Sequence, residues 1–384
     1  MFTLPTISVK HAENHGSCTN IQLSLCSVSQ IKFRIPNSEF RISLKGVCML
    51  EVSAGVIFDA AGRILICRRG EGRRNAHLWE FPGGKIEAGE SPEECLVREL
   101  QEELSLPVEV RGVRCTGEAQ GIRFHFIDAF TGALPVPAEH EAVRFVTRPE
   151  LLQYDFCPAD LPVARQLAFS GVQHFVWDFD GTLLDTYPAM VRAFVAAAGD
   201  FGIAVSPEHT LSLMKNCLTH CCEVVGAENG VSAQTLEAAF RRHEQGELAL
   251  GLPPVADVPE VLEALARRGS RHYVATHRDL QCRELLDRAG LLDRFSGFAT
   301  REDGLPRKPA PDMLLHLMDR FGFGPEAAVM IGDRPLDTQA GRRAGMLSIL
   351  LDPENRFSDQ DADVRVSRLC ELLAWLTVDE CAVL

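Results

Sequence analysis

Between residues 50 and 169 the spacing of apolar positions changes several times, and each change predicts a new element. Alternation and short apolar runs predict strands over 50–58, 63–69, 107–119, 122–130 and 143–147. The segment 91–104 follows a helical period instead. Leu96, Val97, Leu100 and Leu104 form one apolar face and leave the other acidic. Ser91-Pro92 marks its start: serine caps well, and proline suits the first helical position, where its missing N–H is not needed. Glu94, three residues on, is placed for a capping box. A last helix is predicted over 160–169, with Pro135 and Pro137 as loop punctuation before it.

The pattern shifts at Ser170-Gly171. His174 to Trp177 is a short, mostly apolar run of the kind buried on both faces of a parallel sheet. Residues 187–253 read as amphipathic helices over 190–198, 211–222 and 233–248. After them come helix 258–268, strand 271–276, helices 278–289 and 310–321, strand 327–332, helix 336–344 and strand 346–351. A short strand near Val364 and a helix over 367–376 close the series. Such alternation predicts a doubly wound α/β fold. Residues 1–47 show neither a sustained period nor a secretory apolar region. They are expected to be poorly ordered or to precede a functional start near Met49, with a hairpin over 31–44 as the alternative.

At 384 residues the chain can hold two domains, each with its own core. Its formal charge of -14 and lack of a Lys/Arg run argue against duplex nucleic acid as a partner. No apolar run reaches the length of a membrane span. The thirteen cysteines are scattered without paired metal spacing, which predicts reduced thiols and a cytoplasmic protein. Cys221-Cys222 is expected to be ordinary helix packing. An acidic enzyme that handles small phosphorylated molecules through metal ions fits this balance, and its oligomeric state is not legible.

Glu99, Glu102 and Glu103 stand at i, i+3 and i+4 on one helical face. Their mutual repulsion would be relieved by Mg²⁺ or Mn²⁺, which favour oxygen ligands. On their own they would read as a solvated acidic face. Their setting changes that: Gly84, five residues, Glu90, seven residues, then Arg98-Glu99-Leu100-x-Glu102-Glu103 resembles the Nudix box at nearly every specified position. Ser105 departs from it, standing where the box has its late glycine; at positive φ a serine costs about 1 kcal/mol.

The resemblance implies a Nudix α/β/α sandwich over 48–169 in which Glu99, Glu102 and Glu103 bind metal against a pyrophosphate. It implies that Glu102 or Glu103 organises the attacking water, that Arg98 orients the glutamates and that Glu90 fixes the loop. Glu139 matches a further ligand or base of the family, against the plainer reading of a surface glutamate. The flank Leu78-Trp79-Glu80-Phe81-Pro82-Gly83-Gly84-Lys85 resembles the branch that cleaves 8-oxo-dGTP and related triphosphates to monophosphate and pyrophosphate. Arg69 and Phe81 match nucleotide contacts there, or are a surface charge and a core aromatic. Residues 154–160 resemble the base-reading end, but Asp160 replaces a common Asn. An amide donates and accepts, whereas an ionised carboxylate only accepts. Purine recognition is thereby put in question and a cytosine nucleotide favoured, unless Asp160 merely caps the last helix.

Asp178-Phe179-Asp180-Gly181-Thr182-Leu183 follows a buried strand. Thr276 at the end of a second strand, Lys308 before Pro309, and Gly332-Asp333-Arg334-Pro335-Leu336-Asp337 after a third complete a series in one order. Together they resemble the haloacid dehalogenase (HAD) superfamily, nearest to phosphoglycolate-phosphatase-like and nucleotidase-like members. This implies a Rossmann-like HAD domain over 172–384 with an inserted C1-type helical cap at about 187–253. Asp178 would attack phosphorus to give an aspartyl-phosphate, and Asp180 would serve as acid and then base. Thr276 and Lys308 would hold phosphoryl oxygens, and Mg²⁺ would sit on Asp178, the Asp180 carbonyl and Asp333, supported by Asp337. His277 is either a substrate contact or a histidine satisfied within its loop. The expectation is a bifunctional hydrolase, with the extension that the second site consumes the first one's monophosphate; in the alternative, one half is a nucleotide-binding regulator of the other.

Overall fold

The first sheet is built on β1 (Leu50–Phe58), whose Ile57 and Val56 face opposite sides. β2 (Ile64–Arg68) pairs with it antiparallel and carries β3 (Trp79–Glu80); β4 (Gly83–Lys85) also pairs with β1. Helix α1 (Pro92–Leu104) follows, then β5 (Glu109–Ala119) and β6 (Ile122–Phe130). β6 lies parallel to β1 in unbroken register from Leu50↔Ile122 to Phe58↔Phe130. β7 (Ala142–Val146) returns to β2, and α2 (Leu161–Phe169) ends the domain. Leu96, Leu100 and Leu104 seat α1 on Ile57, Leu65 and Ile127, while Leu167 and Phe169 of α2 join Val56, Ile66 and Phe126. Helices therefore cover both faces of the sheet. This computed structural model describes residues 49–119 and 121–376; the expectations for residues 1–47 lie outside them.

The second domain is a six-stranded, wholly parallel sheet in the order β10-β9-β8-β11-β12-β13. Its strands are β8 (His174–Trp177), β9 (Arg271–Ala275), β10 (Phe295–Ala299), β11 (Ala328–Gly332), β12 (Leu347–Leu351) and β13 (Val364–Val366). The order places β8 and β11 side by side at the centre, where the strand sequence reverses and ligands of such folds gather. Between β8 and β9 the chain inserts α3 (Tyr187–Gly199), α4 (Pro207–Met214), α5 (Leu218–Asn229) and α6 (Ala233–Ala249). These pack around Phe194, Leu236 and Phe240 in a core of their own. The remaining helices are α7 (Val258–Arg267), α8 (Gln281–Arg288), α9 (Asp312–Phe321), α10 (Pro335–Arg343) and α11 (Glu371–Leu376).

Three expectations need correction. The helix expected over 211–222 is two helices: Cys217 leaves helical geometry (φ -170, ψ 160), and its Sγ accepts a hydrogen bond from His220 N to cap α5. β10 was not expected, because Phe-Ser-Gly-Phe-Ala offers too brief an apolar run; its Gly297 is needed where a Cβ would strike the Phe321 ring. Among the described residues eight cysteines are free thiols as expected, but Cys115 is disulfide-bonded. Cys221 and Cys222 do pack in the insert core, and burial pushes both thiols up to about 12. Among the described residues no helix is long and apolar enough to cross a membrane.

The two domains meet through α2 and α11. Phe169 stacks on Trp375 with ring centroids 6.2 Å apart, and the Arg165 guanidinium lies over the same indole. One hydrophobic cluster runs continuously from Phe126 and Phe156 to Trp177 and Trp375.

Candidate functional sites

The first site grows from the start of α1. Ser91 caps the helix, with both halves of the capping box made. The helix then brings Glu99 against β4, where a Cβ on Gly84 would land within the Glu99 carboxylate. Glycine at 84 is thus a matter of close approach. Arg98 grips Glu90 with two bonds of 2.8 and 3.0 Å. Those bonds hold the Glu90 carboxyl down to about 2. Its Nη1 also reaches Glu99 Oε1 at 2.9 Å and Glu102 Oε2 at 3.4 Å. Arg98 therefore has the geometry of an orienting residue.

The three glutamates sit differently. Glu102 has 62% of its side chain exposed, whereas Glu103 has 15%. Burial, with repulsion from Glu99 and Glu139, raises the Glu103 carboxyl above its ordinary value despite attraction from His140 and Arg73. Glu139 pairs with Arg73, which also lies 4.0 Å from Glu103. The carboxylates divide between two sets of partners: Arg98 Nη1 bridges Glu99 and Glu102, while Arg73 and His140 lie beside Glu103.

His140 is a residue that sequence reasoning missed. Its Nε2 lies 3.7 Å from both Glu80 and Glu103, with the side chain almost wholly buried. The signal was its place directly after Glu139.

At the other end of this site Trp79 exchanges backbone bonds with Asp155 and Cys157, drawing residues 154–160 alongside β3. Arg69 pairs with Glu80 and donates to Arg74 O at 2.8 Å. The Phe81 ring faces inward, packed on Phe126 and Phe156. Asp160 makes no cap bond to α2. Instead its buried Oδ1 accepts from Phe81 N at 3.1 Å. Burial first, then repulsion by Glu80, pushes its carboxyl up to about 8. At neutral pH Asp160 is mostly the neutral acid, which donates and accepts as an amide does. A neutral Asp160 offers a purine the same donor and acceptor that an asparagine would, unlike the ionised side chain expected from the sequence.

The second site lies at the carboxyl ends of β8, β9 and β11. Asp178 leaves β8, its N–H bonded to Ile331 O. Lys308 Nζ, buried, lies 2.6 Å from both Asp178 Oδ1 and Asp337 Oδ1, and donates to Ala275 O at 2.8 Å. His277 Nε2 accepts from Lys308 N at 2.9 Å. Burial and the neighbouring ammonium lower His277 to about 3, so it stays neutral. Of the two readings for this histidine, the loop-satisfied one describes it.

Burial opposes charge on Asp178, but Lys308 and Arg334 outweigh it and hold the carboxyl low. Asp333 and Asp337 go the other way, raised by burial and by neighbouring carboxylates. Asp178, Asp333 and Asp337 each offer an oxygen within 4.8 Å of the others. Buried Asp178 Oδ2, Asp333 Oδ1 and Asp337 Oδ2 have no hydrogen-bond partner. These three oxygens converge without a hydrogen bond, with the Arg334 guanidinium 3.6, 3.7 and 3.9 Å away, and such a donor set fits a hard divalent cation. Tyr187 of the insert donates to Asp333 Oδ2 at 2.9 Å. Gly181 (φ 73) lets the chain turn where a Cβ would press on Tyr187 and Asp333.

Asp180 and Thr276 complete the set. Arg278 Nε donates to Asp180 Oδ1 at 2.7 Å, and Thr276 Oγ1 accepts from Arg278 N at 3.1 Å. A cavity of about 700 Å³ meets the cluster at Gly181 and Asp333 and is roofed by Leu211 and Lys215 of the insert. Arg278 and Tyr187 went unmarked in the sequence because neither belongs to the motif that precedes it.

Known proteins bear on both halves. Residues 49–167 match the NUDIX domain and residues 172–345 the haloacid dehalogenase-like hydrolase. A CTP pyrophosphohydrolase of Escherichia coli (strain K12) is 38% identical over 121 residues, covering 30% of this chain and 88% of that protein. An 8-oxo-dGTP diphosphatase of Haemophilus influenzae is 47% identical over 58 residues, 15% of this chain and 43% of that one. A phosphoglycolate phosphatase of Thiobacillus denitrificans is 30% identical over 184 residues, 45% of this chain and 80% of that protein.

Proposed function

This chain belongs to the Nudix family in its first half and to the haloacid dehalogenase-like hydrolases in its second, and from that premise we propose that it works as two separate phosphohydrolases. The first domain, over 48–169, cleaves a nucleoside triphosphate, such as 8-oxo-dGTP or a cytidine nucleotide, to monophosphate and pyrophosphate. The second, over 172–384 with the insert as a cap, hydrolyses a phosphate monoester. The observation that carries the second reading is the buried cluster in which Lys308 joins Asp178 and Asp337 beside Asp333. The similarity to a CTP pyrophosphohydrolase and an 8-oxo-dGTP diphosphatase supports the first.

In the second site Asp178 forms a bond to phosphorus as the bond from phosphorus to the ester oxygen breaks. The proton on Asp180 passes to that leaving oxygen. Water then attacks the phosphorus of the aspartyl-phosphate, gives its proton to Asp180 and releases inorganic phosphate, which restores both carboxyl groups. Thr276 and Lys308 hold the phosphoryl oxygens. In the first site one of Glu102, Glu103 and Glu139 takes a proton from the water that attacks phosphorus, and pyrophosphate departs.

Magnesium would be held by Glu99, Glu102 and Glu103 in the first site. In the second it would be held by Asp178, Asp333, Asp337 and the Asp180 carbonyl. Such an ion neutralises phosphoryl charge.

The test pairs Glu103→Gln with Asp178→Asn in the full chain. Each protein is given CTP, 8-oxo-dGTP and a panel of monophosphate esters with Mg²⁺, and the products are identified. Two independent sites require that each change remove one activity and spare the other. Loss of both activities in either variant would overturn that independence.

A further inference from the structure

Arg278 is almost wholly buried and spends its charge on two carboxylates from different parts of the chain. Its Nε donates to Asp180 Oδ1 at 2.7 Å, and its Nη2 lies 3.1 Å from Glu244 Oε1. Glu244 belongs to α6 of the insert and is itself buried, its other oxygen taken by Arg241 Nη1 at 2.9 Å. Among the described residues two ion pairs cross from the insert to the sheet domain. Lys215–Glu354 is long, at 3.7 Å, and ends on a half-exposed glutamate; Arg278–Glu244 is buried on both sides. Arg278 is also anchored from below, its N–H on Thr276 Oγ1 and its guanidinium 5.8 Å from the centre of the Phe179 ring.

We infer that Arg278 and Glu244 form a clasp through which the inserted helices hold the Asp180 carboxyl in its working orientation. Glu244 Oε1 has no hydrogen-bond partner, so its hold on the Nη2 edge is that of a close ion pair, and because the guanidinium is planar that pull also limits how the Nε edge meets Asp180. With Glu244 in place, Arg278 has one low-energy setting and Asp180 is aimed by it. If α6 moves away, the buried guanidinium loses a partner and must reorganise towards water or other acceptors, since an unpaired buried charge is costly. Asp180 then loses its aim. Arg278 is a positioning residue and does not touch the reacting atoms; Glu244 carries the position of the insert to the acid.

This rests on the reading of Asp180 as the group that protonates the leaving oxygen, and that reading predicts a particular readout. A misaimed acid slows esters whose leaving oxygen needs a proton far more than esters whose leaving group departs unaided. The experiment compares kcat/KM for an alkyl phosphate and for p-nitrophenyl phosphate in the full chain with Mg²⁺. Glu244→Gln keeps the volume and removes the charge; Arg278→Lys keeps the charge and removes the fork. In both, the alkyl ester is expected to slow by about tenfold or more and the aryl ester by less than about threefold. Asp180→Asn must show the same bias more strongly.

If Asp180→Asn slows both esters equally, the acid reading fails. If Asp180→Asn is biased while Glu244→Gln and Arg278→Lys slow both esters alike, or neither, the clasp is overturned. Restoration of alkyl-ester turnover by Glu244→Asp above the level of Glu244→Gln would further support the charge pairing, and its absence would count against it.

Discussion

The two carboxylate clusters of this chain solve the same problem in opposite ways. In the second site Asp178, Asp333 and Asp337 are buried and pulled into one small volume by Lys308, whose ammonium touches two of them. In the first, Glu99, Glu102 and Glu103 ride on one helix with only Glu102 exposed; Arg98 draws Glu99 and Glu102, while Arg73 and His140 draw Glu103. The buried arrangement of the second site depends on long-range packing; that of the first site is written almost entirely in one helix and its preceding loop. A buried cluster is costly to disturb but holds its geometry, whereas a surface cluster is cheap and needs a cation to draw it together.

The strongest way to break the comparison is Lys308→Met. It leaves Asp178 and Asp337 buried with only the more distant Arg334 guanidinium to meet their charge, so we expect phosphomonoester hydrolysis to be lost and stability to fall by about 3–5 kcal/mol. Urea unfolding and ester assays read both. Nucleotide cleavage at temperatures below the transition should persist. An unchanged urea midpoint would mean that the lysine does not hold the cluster.

Gly84→Ala probes the exposed site. The added methyl displaces the Glu99 carboxylate, and nucleotide cleavage should fall by about tenfold or more with phosphomonoester hydrolysis and the melting temperature barely altered.

Asp160→Asn measures a buried acid outside both clusters. The folded-state value of about 8 lies far above that of the unfolded chain, so ionisation in the unfolded state costs native stability as pH rises. The wild-type contribution is intact below pH 4 and declines up to about pH 8. The asparagine variant should therefore gain on wild type across that window by up to ~1.4 kcal/mol per pH unit, with no further gain above it. Melting curves at pH 4, 6 and 8.5 check this, and an equal difference at all three would refute it. The same variant tests base choice, since it retains a donor and an acceptor at every pH.

The smallest effect concerns Ser105, which adopts φ 47, ψ 38 at the end of α1. Ser105→Gly should stabilise by about 1 kcal/mol or less and leave both activities as they are.

That serine also shows what was legible in the sequence. The box position raised the question of a positive φ there, and Ser91 with Glu94 placed a capping box; both features are present, and both are local. Asp178, Lys308 and Asp333 were legible as an ordered series, and the structure places them together. What escaped was long-range. Arg278 and Glu244 are separated by the whole of α7 and β9, and neither has a spacing that marks it. Asp160 was visible as a departure, but its protonation depends on burial and on Glu80, which only the fold brings near. The break at Cys217 was hidden because leucines on both sides keep a helical period across it.

Phe169 closes the first domain and Trp375 lies in the last helix of the second, yet they stack where α2 meets α11. Cutting the polypeptide at Ser170 would thus bare an apolar wall on each fragment. Neither enzyme half should then be obtainable as a well-behaved piece at full stability, and heating should melt both catalytic functions in a single transition. The joint between them is part of the interior, so the evolutionary union of these two chemistries is also a thermodynamic one.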